Sequence, residues 1–153
     1  MNDNNELIDA IKLAGEYDDT LLIEKYIIGR EITVGILDHK ALPIVEIIPD
    51  HQLYDYECKY KEGMSEYIVP AELSDTVASK IKEDALKIYN TIGCRHYARV
   101  DFRLNDDSKY YFLEINTLPG MTSTSLFPKA AKAAGIEFPE LINIIINMAI
   151  AEG

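Results

Sequence analysis

His96-Tyr97-Ala98-Arg99-Val100-Asp101-Phe102-Arg103-Leu104, then Asn105-Asp106-Asp107-Ser108, then Lys109-Tyr110-Tyr111-Phe112-Leu113-Glu114-Ile115 is the stretch that decides the fold. Two runs rich in aromatic and β-branched residues, joined by a short polar turn, read as an antiparallel hairpin. Alternation puts Ala98, Val100, Phe102 and Leu104 on one side of the first strand and Arg99, Asp101 and Arg103 on the other. On the second strand Tyr111, Leu113 and Ile115 take one side, while Phe112, Glu114 and Asn116 take the other. A four-residue turn then sets Asp101 opposite Phe112 and Arg99 opposite Glu114, so that Arg99, Asp101, Glu114 and Asn116 share one face.

That face has two readings. Arg99 can pair across the strands with Glu114 on an ordinary solvated surface. Alternatively, two carboxylates and an amide oxygen form a set suited to Mg2+ or Mn2+, in which one carboxylate bridges two ions. The next segment, Asn116-Thr117-Leu118-Pro119-Gly120-Met121-Thr122-Ser123-Thr124-Ser125, is rich in small hydroxyl residues and favours the second reading. Gly120 allows the backbone to approach a reacting oxygen, and Ser125 with the following N–H can receive a carboxylate. Beside a divalent ion these are the parts of acyl-transfer chemistry. Ser125 can equally cap the helix that follows.

Outward from the hairpin, the pattern predicts an α+β fold built on an antiparallel β-sheet flanked by helices. Asp3 and Glu6 fit a capping box for a first helix with Leu7, Ile8, Ile11 and Ala14 on one face, ending near Gly15. Thr20 to Ile27, Glu31 to Leu37 and Ala41 to Ile48 read as strands with short antiparallel links. Pro49 to Pro70 lacks periodicity and reads as a long loop, a kind of segment that is commonly functional. Ser74 caps a second helix with Val77, Ile81, Ala85, Ile88 and Ile92 as its buried stripe and Gly93 as its stop. Lys129 to Ala134 and Pro139 to Ala151 complete the predicted helices.

The 153 residues, 48% of them hydrophobic, suit one domain over 1–153. A formal charge of −11 argues against nucleic acid as a partner. It does not exclude a nucleotide, because bound Mg2+ reverses the field around phosphates. Cys58 and Cys94 have no metal-ligand or disulfide spacing. The first residues lack a basic region with an apolar core, and no apolar run is long enough to span a bilayer, so the expectation is a cytoplasmic protein without a membrane partner.

The strings Ala98-Arg99-Val100-Asp101-Phe102 and Phe112-Leu113-Glu114-Ile115-Asn116-Thr117-Leu118-Pro119-Gly120-Met121-Thr122 closely resemble the C-terminal part of D-alanine-D-alanine ligases, which are ATP-grasp enzymes. Glu24-Lys25-Tyr26-Ile27-Ile28-Gly29-Arg30-Glu31 and Tyr54-Asp55-Tyr56-Glu57-Cys58-Lys59-Tyr60 extend the resemblance over nearly the whole chain. It implies an ATP-grasp C-terminal lobe that uses ATP and two Mg2+ or Mn2+ to join two D-alanines for peptidoglycan synthesis. Asp101 would bind one ion, Glu114 would bridge two and Asn116 would hold the second. Arg99 and the Gly120 N–H would stabilise the oxyanion. Glu24, Lys25, Tyr26 and Ile27 would line the adenine, Glu31 would take the ribose hydroxyls, and Lys59 would reach the phosphates. Tyr60 resembles the loop tyrosine of dipeptide makers, while Ser125 and Leu126 match positions that receive the second substrate's carboxylate.

The family's N-terminal substrate domain and the first half of its ATP domain have no counterpart within 1–153, and Arg103 stands where an apolar side chain often lines the nucleotide pocket. The resemblance therefore implies a chain inactive by itself, partnered by the N-terminal region of the same enzyme and open to homodimer formation at full length. A non-catalytic nucleotide-binding or interaction module, and an ATP-grasp ligase for another amino acid, are the competing classes.

Overall fold

The computed structural model describes residues 4–49 and 65–151. Its elements are α1 (Asn4–Ala14), β1 (Arg30–Leu37), β2 (Lys40–Ala41), β3 (Val45–Pro49), β4 (Ser65–Ile68), α2 (Asp75–Ile92), β5 (Tyr97–Leu104), β6 (Tyr110–Asn116), α3 (Leu126–Ala133) and α4 (Phe138–Ala151). The strands form one antiparallel sheet in the order β4-β3-β1-β5-β6, with β2 pairing β1 beside β3.

β1 and β5 are the centre of the sheet and pair along their whole length, from Arg30 opposite Leu104 to Leu37 opposite Tyr97. One face of this pair presents Ile32, Val34, Ile36, Ala98, Val100, Phe102 and Leu104, which pack against Ile81, Ala85 and Tyr89 of α2. α2 begins at Ser74, whose hydroxyl accepts from the Val77 N–H, and stops at Gly93 in the left-handed conformation. On the opposite face, Leu37, Leu42, Val45 and Ile47 pack against Leu126, Phe127, Ala130 and Ala131 of α3 and Leu141 of α4. Gly35 makes this second layer fit, because a Cβ there would come within 3.1 Å of the Phe127 ring.

Several expected boundaries shift. Residues 21–28 form no strand: the run has strand-like composition, yet among the described residues no neighbouring strand supplies a ladder, and Leu22, Ile23, Tyr26 and Ile28 are exposed. The expected strand Ala41 to Ile48 is divided into β2 and β3 around Leu42-Pro43-Ile44, where Pro43 has no N–H for a ladder. β4 lies within the stretch read as a loop, and the expected Lys129 helix already begins at Leu126. In α1, Ile8, Ile11 and Leu13 are exposed, so its apolar side is not covered by the described residues. Asp3, the expected start of its capping box, lies outside them.

Candidate active site

The hairpin forms, but with a different register from the four-residue turn. Five residues separate Leu104 from its partner Tyr110, with the Asn105 side chain accepting from the Lys109 N–H at 2.8 Å. Phe102 therefore faces Phe112 and Arg103 faces Tyr111, which reverses the expected sides of Tyr111 and Phe112. A bulge then intervenes, with Leu113 as the extra residue, and beyond it Asp101 faces Glu114 and Arg99 faces Asn116. Directly opposed residues share a sheet face, so the bulge carries Glu114 and Asn116 onto the side of Asp101. The expected grouping of Arg99, Asp101, Glu114 and Asn116 stands, although the expected pairs Asp101 with Phe112 and Arg99 with Glu114 do not.

Asp101 is only 6% exposed. A carboxylate so placed needs strong partners, since desolvating a charge costs several kcal/mol. Arg99 supplies two parallel bonds, Nε to Oδ1 at 2.9 Å and NH2 to Oδ2 at 2.8 Å. Thr33, directly opposite on β1, donates its hydroxyl to Oδ1 at 2.5 Å. Sequence reading missed Thr33, because only the β1–β5 pairing brings it to Asp101. Glu114 is exposed on edge strand β6, and the Asn116 amide oxygen accepts from the Leu118 N–H at 3.0 Å, turning the chain into the following loop.

In that loop, Ser125 occupies the N-cap position of α3 without bonding the helix through its side chain. Its hydroxyl instead accepts from the Thr122 N–H at 3.1 Å and contacts the Thr122 hydroxyl at 2.8 Å. Gly120 lies tight against it, since a Cβ there would sit 3.0 Å from the Ser125 oxygen. The Leu126 side chain is buried in the second core, so what this residue can offer a ligand is its backbone N–H. Gly35 is opposite Arg99 on the sheet, and Phe127 covers Gly35; the start of α3 thus lies next to the Arg99–Asp101 pair.

At the other end of the same face, Glu31 opposes Arg103. Glu24, Lys25 and Tyr26 are exposed, Ile27 is half-buried, and all precede β1. Gly29 at φ 147 lets the segment meet the sheet, where a Cβ would collide with the Leu104 carbonyl. Lys59 and Tyr60 lie outside the described residues, as do Cys58 and His51. A groove between α2 and β6, lined by Ile88, Ile92, Phe102, Tyr110 and Phe112, opens on the opposite side of the sheet from Asp101.

The structure is similar to the D-alanine–D-alanine ligase of Bacillus anthracis complexed with ATP, with TM-score 0.83 and 39% identity, over 99% of this chain and 49% of that one. It is also similar to the Coxiella burnetii ligase, at TM-score 0.84 and 32% identity, over 99% and 40% respectively. The fold is the C-terminal lobe of ATP-grasp ligases. The family described as D-ala D-ala ligase C-terminus matches residues 1–147, and the chain belongs to it. Among curated relatives, the D-alanine–D-alanine ligase of Halalkalibacterium halodurans is 46% identical over 150 residues, which is 95% of this chain and 49% of the relative. The chain thus spans about half the length of the relatives it matches.

Proposed function

We propose that this chain is the metal- and adenosine-binding part of a D-alanine–D-alanine ligase that works with an N-terminal region of the same enzyme. The observation that carries the reading is the pairing of Asp101 with Glu114, and of Arg99 with Asn116, beside the Ser125 loop. Two carboxylates and an amide oxygen on neighbouring strands are hard donors that fit Mg2+ or Mn2+. Asp101, Glu114 and Asn116 would hold two such ions, which supply charge neutralisation for the transferring phosphoryl group when bound.

The remaining roles fall to the chain's own groups. The stretch Glu24 to Ile27 holds the adenine, Glu31 accepts from the ribose hydroxyls, and Lys59 contacts the phosphates. Arg99 and the Gly120 N–H stabilise negative charge on the oxygen of the carbonyl under attack. The Ser125 hydroxyl and Leu126 N–H receive the carboxylate of the second D-alanine, and Tyr60 is the counterpart of the loop tyrosine of dipeptide makers. ATP phosphorylates the first D-alanine, and the amine of the second displaces phosphate to give the dipeptide used in peptidoglycan synthesis in the cytoplasm.

The test is calorimetric titration of Mn2+ in the presence of ATP. Asp101→Ala and Glu114→Ala should each weaken binding about tenfold or more, the effect of losing roughly 1.4 kcal/mol. Unchanged binding in both variants would remove the metal assignment.

A further inference from the structure

Arg103 is 9% exposed on the same sheet face as Asp101, and its guanidinium reaches three groups of the segment assigned to adenosine. Its Nε donates to the Ile27 carbonyl at 3.2 Å, its NH1 donates to Glu31 Oε2 at 3.3 Å, and its central carbon lies 5.7 Å from the centre of the Tyr26 ring. We infer that Arg103 is a positioning residue that fixes the Tyr26–Ile27 segment and Glu31 relative to one another, and thereby sets selectivity for a nucleotide carrying the full ribose diol. The inference rests on the adenosine assignment proposed above.

Residues 21–28 have no strand ladder to order them. Ordering backbone costs roughly 1–2 kcal/mol per residue, so a segment of this kind depends on side-chain ties to the sheet. A guanidinium suits the task because its planar fork can bond a carbonyl and a carboxylate at once while its face meets an aromatic ring; an ammonium has no such fork. The same contact orients Glu31. A carboxylate offers about four lone-pair sites, so a bond from Arg103 to one oxygen leaves capacity for sugar hydroxyls. An apolar residue at position 103 could line the cleft, but it could neither hold the Ile27 carbonyl nor aim Glu31.

The test joins the chain to a ligase N-terminal half and compares it with its Arg103→Met and Arg103→Lys variants. Each is titrated with Mg2+-ATP and Mg2+-2′-deoxy-ATP and followed by NMR shifts, and the methyl signals of Ile81 and Ala85 report that the core is intact. Arg103→Met should weaken ATP about tenfold, the scale of a lost charge-assisted hydrogen bond, and bring the preference for ATP over 2′-deoxy-ATP close to one. Arg103→Lys should restore less than half of that preference. Wild-type preference in Arg103→Met, or equal loss for both nucleotides with the preference kept, overturns the inference while leaving the adenosine assignment in place. A wild-type joined protein that does not respond to ATP overturns the assignment itself and the inference with it.

Discussion

Asp101 illustrates how a single carboxylate can sit almost out of water in the middle of a sheet. The bidentate Arg99 and the Thr33 hydroxyl replace the solvent it loses. Thr33→Val keeps the shape and removes one bond to a buried charged group, so urea unfolding should show a loss of about 1–3 kcal/mol. Gly29→Ala should cost more, because it combines a strained φ with a collision against the Leu104 carbonyl, and a fall in Tm of several degrees would register it. Alternation within β5 made the shared side of Arg99, Asp101 and Arg103 legible in the sequence. Thr33 was not legible: its partner lies 68 positions away, and local periodicity carries no information about which strands become neighbours. Arg103 was legible only as an oddity, because its partners Ile27 and Glu31 belong to a segment and a strand that meet it in three dimensions.

The hairpin shows two departures from the sequence reading whose effects cancel. The turn is one residue longer than its polar composition suggested, and Leu113 adds one more residue to β6, so the side facing Asp101 is restored after being reversed near the turn. Deleting Leu113 should remove the bulge and leave a regular ladder in which Phe112 still opposes Phe102, Glu114 still opposes Asp101 and Asn116 still opposes Arg99. Circular dichroism and Mn2+ binding with ATP should then both stay close to wild type; loss of binding with the circular dichroism retained would mean that the bulge itself, and not only the facing pairs, shapes the site. The same strand is tied to α2 by Tyr110, whose hydroxyl donates to Asp84 at 2.5 Å. That bond, followed by Lys80, holds the Asp84 carboxyl below its ordinary range, against the opposing effect of burial. Burial first, and then Asp84, push the Tyr110 phenol up to about 12. The Asp84 contribution is therefore present above its ordinary value of 3.8 and lost as pH falls through the lower folded value. The Tyr110 contribution is present below 10 and lost as pH rises through about 12. Tyr110→Phe should cost about 1 kcal/mol near neutrality, with the difference from wild type shrinking at both extremes in pH-dependent unfolding. Strand composition misled at Thr20 to Ile27 because strand propensity measures fit to a pleated surface, and the described residues offer no such neighbour there.

Across the whole molecule, the sheet has one face devoted to packing under α2 and another that, among the described residues, α3 and α4 cover only toward β3. Exposed Leu22, Ile28, Leu113 and Leu118 lie in the segment before β1, the bulge of β6 and the loop after it, around the polar region. On the proposed reading this side faces a second lobe, and ATP lies between the two. The chain supplied alone should then release phosphate no faster with D-alanine than without it, and joining it to a ligase N-terminal half should restore the dependence; D-alanine-dependent turnover by the chain alone would reverse this. The overall α+β class was readable from periodicity, whereas the second packed face and its partial cover were not, since they follow from Phe127 seating over Gly35. The contacts around Asp101 also bear on the order of events in the life of the protein. Because Arg99 and Thr33 already satisfy the carboxylate, the sheet can close on its own chemistry, unlike small zinc domains whose ligands cannot be gathered without their ion. Chelators should leave its melting curve where it was; on the proposed reading, ion loading is then a step of the catalytic cycle rather than of biosynthesis.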